Sequence, residues 1–164
     1  RYPGNLDAAQ TAQSAIGQFN VTATSLQMAL VGAAIGNGGL AMEPYLVQDT
    51  RGADLQLLSQ TEPKEHARAV SSANAASMLT MMEAVVNQGT GSNAAIPGVR
   101  VGGKTGTAET GGNRPNVAWF VAVAPIDNPQ IAVAVTVENA GTTEVSGNQL
   151  AAPIARQVME AVLQ

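Results

Sequence analysis

The stretch Val101-Gly102-Gly103-Lys104-Thr105-Gly106-Thr107-Ala108-Glu109 sets a cation, two hydroxyls and several side-chain-free positions on one short β-prone segment. Side chains alternate along a strand, so Lys104 and Gly106 share one face and Thr105 and Thr107 the other, with that regularity expected to fail near a working edge. A strand beside an acyl-transfer centre must let an extended peptide lie against it and form main-chain hydrogen bonds, a need that Gly106 suits. A carboxylate-ended ligand wants a positive field and hydroxyl donors, which is the chemistry of Lys104, Thr105 and Thr107. A backbone N–H near Thr107 then has a place facing a developing oxyanion. By itself Lys-Thr-Gly is a three-residue match that ordinary strands and turns produce by chance, so its surroundings decide.

Downstream, a polar connection at 111–116 leads to two strongly β-prone segments, Val117 to Ala124 and Ile131 to Glu138, joined by the turn Pro125-Ile126-Asp127-Asn128-Pro129. Three sequential strands with short connections imply an antiparallel meander. The chain closes with Leu150 to Leu163, where Ile154, Val158, Ala161 and Val162 form an apolar stripe and Pro153 fits a first helical turn; this helix is expected to pack on the sheet.

Upstream, Gly89 to Gly98 has the composition of a loop, and Ser71 or Ser72 caps a predicted helix running to Gln88. Met78, Leu79, Met82, Val85 and Val86 are its expected buried residues, the methionines serving as core filler. Glu62 to Arg68 reads as charged surface. Leu40 to Val47 and Leu55 to Ser59 read as a small hairpin turning at Asp49-Thr50-Arg51-Gly52, with Pro44 confining the first strand to an edge. Thr24 and Gln27 make a capping box for a helix within Thr22 to Asn37, on which Leu26, Ala29, Leu30 and Ala33 recur at helical spacing before Gly38-Gly39 stops it. Its many Ala and Gly residues let a helix backbone lie close to its neighbours. The class is α+β, an antiparallel sheet flanked by helices.

Composition narrows the function classes. The chain has 164 residues, enough for one domain or part of one, and 45% hydrophobic against 12% charged residues is too apolar for disorder. A net charge of -4 and 3% aromatic residues offer neither a basic patch nor stacking platforms, which excludes nucleic acid as a partner. With no cysteine and one histidine, thiolate chemistry and the usual zinc clusters are excluded, and no metal or cofactor is expected. No run of about eighteen apolar residues occurs and Arg1-Tyr2-Pro3-Gly4 lacks a signal-peptide layout, so any export or anchoring signal is expected elsewhere.

The Lys104-Thr105-Gly106-Thr107 string resembles the third conserved motif of the serine acyl-transferases that include penicillin-binding proteins and serine β-lactamases. Gly17 to Ala29, Asn37-Gly38-Gly39-Leu40 with Pro44, Ala118-Trp119-Phe120, Ala124-Pro125 and Ala151-Ala152-Pro153-Ile154-Ala155 resemble class B penicillin-binding proteins, especially the actinobacterial penicillin-binding protein A type. The resemblance spans nearly the whole chain and implies the transpeptidase fold shared with serine β-lactamases. It implies a D,D-transpeptidase in which a serine attacks the penultimate D-alanine carbonyl of a peptidoglycan stem peptide, terminal D-alanine leaves and an amine resolves the acyl-enzyme. β-Lactams acylate the same serine. Carried over, Lys104 helps hold the proton network and positive field, Thr105 and Thr107 contact the substrate or drug carboxylate, Gly106 keeps the strand approachable, and the Thr107 amide is an oxyanion donor.

The family's nucleophile motif, Ser-x-x-Lys, is absent: only Lys64 and Lys104 occur, and Thr61 and Val101 stand three residues before them. Ser72-Ala73-Asn74 and Ser146-Gly147-Asn148 match the second motif, Ser-x-Asn, but follow the Thr24 helix instead of preceding it, and read as a helix cap and a loop. The expectation is the carboxy-terminal part of one transpeptidase domain, with the nucleophile and a membrane anchor upstream, on the extracytoplasmic face of the bacterial membrane and inactive alone. Its expected partners are stem peptides, β-lactams and the amino-terminal part of the same protein. A penicillin-recognising sensor is the alternative, and a chance tripeptide would show itself as a strand buried away from any cleft. His66 and Arg114 read as solvated, Trp119 as sheet packing, and Glu109 equally as a group orienting Lys104 or the adjoining loop and as an exposed strand-end carboxylate.

Overall fold

The computed structural model describes residues 1–110, 115–138, 140 and 145–164. Among the described residues there are four α-helices, α1 (Ala8–Ala15), α2 (Ser25–Gly36), α3 (Ser72–Asn87) and α4 (Ala152–Leu163), and three separate antiparallel sheets. Strands β1 (Leu40–Met42) and β4 (Glu65–Arg68) pair with each other, as do β2 (Asp49–Arg51) and β3 (Leu57–Gln60). The principal sheet is the expected meander, β5 (Gly102–Ala108), β6 (Val117–Ala124) and β7 (Ile131–Val137), in that spatial order. Among the described residues no helix is long and apolar enough to cross a membrane.

Local chemistry starts the helices where the sequence indicates. Thr24 accepts from the Gln27 amide at 3.1 Å while the Gln27 side chain accepts from the Thr24 amide at 2.9 Å, a reciprocal capping box. Gly38 and Gly39, at φ of 61° and 88°, turn the chain out of α2. Ser71, one of the two expected caps, accepts from the Asn74 amide at 3.2 Å. Helix α1 went unpredicted, although Asp7 and Gln10 form a second capping box at its start.

The sheet is covered on both faces, and small residues set how closely. On one face lie α2 and α3. A Cβ added at Gly32 of α2 would meet Val121 Cγ1 at 3.1 Å, so the helix backbone sits almost on the sheet, and Ser25 Oγ shares a 3.1 Å hydrogen bond with Thr136 Oγ1 of β7. On the other face α4 presents Ala152, Ala155 and Met159, all fully buried, to a core that includes Phe120, Ala118, Ala122 and Val101. Removing that apolar surface from water is the main force holding α4 down, at roughly 25 cal/mol per Å².

The faces therefore differ from those expected. Ile154 and Val158 remain 43% and 41% exposed because the Val and Phe side chains of the sheet already fill the interface and leave room only for alanines and one flexible methionine. Leu26 is likewise 61% exposed, with Gly32 and Ala34 buried in place of the larger residues. Helix α3 buries Ala75, Met82 and Val86, whereas Met78 is 40% exposed. Asp49-Thr50-Arg51 is strand and not turn: the hairpin reverses one step later, where the Gly52 amide donates to the Gln56 carbonyl at 2.9 Å. Strand β1 stops at Met42, before Pro44, and its partner is the charged segment Glu65–Arg68, exposed at every position.

An ion pair fastens α3 to the approach of β5. Arg100 donates through Nε and Nη2 to the two Glu83 carboxylate oxygens at 2.8 and 2.7 Å. That hydrogen bond holds the Glu83 carboxyl below its ordinary range and raises the Arg100 guanidinium above its own. A carboxyl lowered on folding contributes stability that is present above the unfolded pKa and lost as pH falls through the folded one. Glu83→Gln should therefore lower the melting temperature at neutral pH, and the difference from wild type should shrink as melts are taken down toward about pH 3. A gap independent of pH would refute this role for the pair.

Candidate functional site

Strand β5 pairs with β6 in unbroken register from Gly102 opposite Val123 to Ala108 opposite Val117. The regularity expected to fail near the edge persists through all seven residues. Lys104 and Gly106 face the α2 and α3 side with their partners Val121 and Trp119, and Thr105 and Thr107 face the α4 side. The opposite edge of β5 carries no strand among the described residues, so no neighbouring strand takes up the outward main-chain groups that an extended ligand would use. A ligand lying in the plane of a sheet is flanked by side chains from both faces of the edge strand, so alternation does not separate the four residues from it.

Lys104 is exposed, and its Nζ donates to the Thr105 carbonyl at 2.6 Å. Thr107 is also exposed, while Thr105 and Gly106 are half-buried. This is not a strand hidden from solvent, which is what a chance tripeptide would have shown. The residues just before the motif are glycines for reasons of packing: a Cβ at Gly103 would lie 2.5 Å from Phe120 Cζ, and one at Gly102 would lie 2.5 Å from Ile126 Cδ1 on the opposite face. The core thus reaches to the first residue of the tetrapeptide, and Phe120 fixes its height.

Residues passed over in the sequence touch this strand from behind. Thr90, between Gly89 and Gly91, shares a 2.9 Å hydroxyl–hydroxyl hydrogen bond with Thr105. The 3-10 turn Ser92–Ala94 follows directly, and Asn93 exchanges two 3.0 Å hydrogen bonds with Asn148: its amide donates to Asn148 Oδ1, and its Nδ2 donates to the Asn148 carbonyl. Asn148 lies in a π-helical turn, Gly147–Ala151, where a loop was expected. The buried Gly147 packs onto the backbone of the motif strand: an added Cβ would collide with the Trp119 carbonyl and lie 3.0 and 3.1 Å from the Gly106 carbonyl and amide. For Thr90 the sequence signal is the glycine on each side of it, and for Gly147 and Asn148 it is the Ser-x-Asn match, which points to a different role.

Ser72 and Asn74 lie in the first turn of α3, where Ser71 and not Ser72 is the cap, and among the described residues neither shares a hydrogen bond with Lys104. His66 is exposed on β4, Glu109 is exposed just beyond the end of β5, and Trp119 lies within β6. Arg114 lies outside the described residues.

The family model described as the penicillin binding protein transpeptidase domain matches residues 3–160. The chain belongs to the penicillin-binding protein transpeptidase family. It is 45% identical over 163 residues to the peptidoglycan D,D-transpeptidase PbpA of Mycolicibacterium smegmatis, covering 97% of this chain and 33% of that protein. Stage V sporulation protein D of Bacillus subtilis is 32% identical over 92% of this chain and 24% of its own length. Among solved structures, penicillin-binding protein A from M. tuberculosis in its ceftriaxone acyl-enzyme complex superimposes with a TM-score of 0.90 at 42% identity, covering 96% of this chain and 36% of that one. The transpeptidase domain of penicillin-binding protein 3 from Burkholderia pseudomallei gives 0.69 at 35% identity, over 86% and 42% of the two chains. This transpeptidase-family chain therefore spans about a third of the length of the PbpA relatives it matches. The α+β class and the family resemblance are borne out.

Proposed function

We propose that this chain is the carboxy-terminal part of a serine-type peptidoglycan D,D-transpeptidase and supplies the substrate-holding wall of its active site. The observation that carries the reading is the open edge of β5, with Lys104 exposed on it, in a chain that the family model covers almost end to end. A stem peptide lies extended along this edge. Lys104 supplies positive field and a place in the proton network, Thr105 and Thr107 hold the terminal carboxylate through their hydroxyls, and Gly106 keeps the edge clear. The Thr107 amide donates to the oxyanion.

The reaction is acyl transfer in two steps. A serine oxygen from the upstream part of the polypeptide attacks the penultimate D-alanine carbonyl, an acyl-serine ester forms, and D-alanine departs with the proton. An amine of a second stem peptide then attacks the ester, forming the cross-link amide and returning the proton to serine. A β-lactam takes the same path, its ring amide opening in place of the peptide bond. Neither Lys64 nor Lys104 follows a serine by three residues, which supports placing the nucleophile upstream. Large apolar side chains left in solvent on α2 and α3, among them Leu26, Val31 and Met81, suit a surface that the upstream part covers. The working site is the outer face of the cell membrane, reached through an upstream anchor. Transpeptidation is favoured over a sensor role because the matched relatives are named for it.

Intact mass after exposure to benzylpenicillin tests the division of labour. The full-length protein should gain one drug mass and the 164-residue chain none. A covalent adduct on this chain alone would overturn it. Release of D-alanine from a stem-peptide analogue separates a transpeptidase from a sensor, which would acylate without turnover.

A further inference from the structure

We infer that Thr90, Asn93 and Asn148 are positioning residues that register the active-site strand from behind, an inference that rests on the transpeptidase reading and deepens it. The contacts close a ring. Thr105 on β5 is hydrogen-bonded to Thr90; three residues along, Asn93 is locked to Asn148 by the reciprocal 3.0 Å pair; and Gly147, next to Asn148, packs directly on the Gly106 backbone. Asn148 Nδ2 adds a contact to Ser92 Oγ at 3.4 Å. Two neighbouring residues of the wall are thus gripped from the loop after α3 and from the turn before α4, and those two grips are tied to each other.

Each link has a definite consequence for the site. A threonine hydroxyl carries one proton and two lone pairs, so the Thr90 oxygen leaves Thr105 with bonding capacity for a ligand while fixing the rotamer in which it is offered. Gly106 cannot move toward the α4 side because Gly147 occupies that space, and Gly147 is kept from withdrawing by the hold of Asn93 on its neighbour Asn148. An added Cβ at Gly147 would press on main-chain atoms of both β5 and β6, so the approach needs glycine there. A π-helical turn at this point leads the chain into α4 while presenting Gly147 to the strand and Asn148 to the loop. Holding reacting partners to a fraction of an ångström is what orientation contributes to rate, and a wall strand free to shift by that much loses it.

The test uses the full-length transpeptidase and measures the second-order rate constant for acylation by benzylpenicillin together with the melting temperature. Thr90→Val, nearly isosteric but without the hydroxyl, should slow acylation by about five- to tenfold, the effect of one hydrogen bond expressed only at the site, with the melting temperature nearly unchanged. Thr90→Ser should stay within about twofold of wild type, because the hydroxyl is kept. Asn148→Ala should slow acylation to a similar degree, and the double variant should be little worse than the slower single one, since either opens the same ring. Wild-type acylation in Thr90→Val would overturn the inference, as would equal slowing in Thr90→Ser, which would assign Thr90 a packing role. If Asn148→Ala proves too unstable to assay, the Thr90 pair decides alone. Acylation of wild type with strong loss in Lys104→Ala, but none in the ring variants, would sink the ring and leave the transpeptidase reading standing. No acylation of wild type would sink both.

Discussion

Replacing Lys104 by alanine in the full-length protein should slow acylation by penicillin by about a hundred- to a thousandfold, the scale of removing one preorganised electrostatic group from an acyl-transfer site. The fold should barely register the change. Lys104 is exposed, and the one hydrogen bond its Nζ makes is to the carbonyl of the next residue, so no buried partner is orphaned. The pair of measurements is what discriminates: acylation followed by intact mass against time, and thermal unfolding on the same sample. Slow acylation with an unchanged melting temperature supports a role at the reacting centre. Wild-type acylation would remove Lys104 from the mechanism, and a large drop in melting temperature would make it a structural residue. Lys104→Arg keeps the charge but replaces a compact ammonium with a planar fork, so it should recover only part of the rate.

Phe120→Ala should be the most damaging single change to the fold, costing about 3–5 kcal/mol. The ring is fully buried at the middle of the central strand, in the core beneath α4, and it also supports Gly103 from below. Its loss leaves a cavity that the alanines around it, Ala118, Ala122 and Ala155, are too short to fill. Because Gly103 immediately precedes Lys104, the damage should extend to function: at temperatures where the variant remains folded, acylation should also slow. Chemical denaturation gives the first quantity and the acylation rate gives the second. A loss below about 1 kcal/mol would mean that the core closes over the gap and that the ring is not what sets the height of the strand. The converse change, Phe120→Leu, keeps most of the volume and should be far milder.

What could be read from the sequence was what is encoded locally. The Thr24–Gln27 box, the glycines ending α2 and the β-rich segments of the meander depend on residues a few positions apart, and each was placed within two or three residues of its observed limits. The β1–β4 pairing was invisible because it joins segments far apart in the chain and its second strand, Glu65–Arg68, is polar and exposed throughout. Helix α1 gives little signal because alanine is the only apolar residue type among its eight positions, the rest being glutamine, threonine and serine. In α4 the larger residues Ile154 and Val158 make the more apparent stripe, but the buried face is Ala152, Ala155 and Met159. Large side chains attract attention as core, yet a sheet bearing Phe120 and several valines needs small partners.

The candidate site divides in the same way. Lys104 to Thr107 were legible because they are contiguous and their chemistry is unusual for a strand. Thr90, Asn93 and Asn148 were not, because a hydroxyl or an amide in a loop gives no sign of which distant strand it will meet, and the second Ser-x-Asn match, at Ser146 to Asn148, drew attention to that segment for the wrong reason. The Gly102-Gly103 pair was visible, but its purpose, to make room for Ile126 and Phe120 on opposite faces, required the fold.

The open edge of β5 has a cost in solution behaviour. A strand that leaves its outer main-chain groups free for a peptide offers them equally to another copy of itself, and edge-to-edge pairing of this kind is the first step of many aggregates. From Gly102 to Ala108 the only charged residue is Lys104, so the ammonium proposed to serve the site is also the strand's one electrostatic guard against unwanted self-pairing. Substitutions that neutralise it should be handled dilute and checked for soluble aggregates before any loss of rate is credited to chemistry.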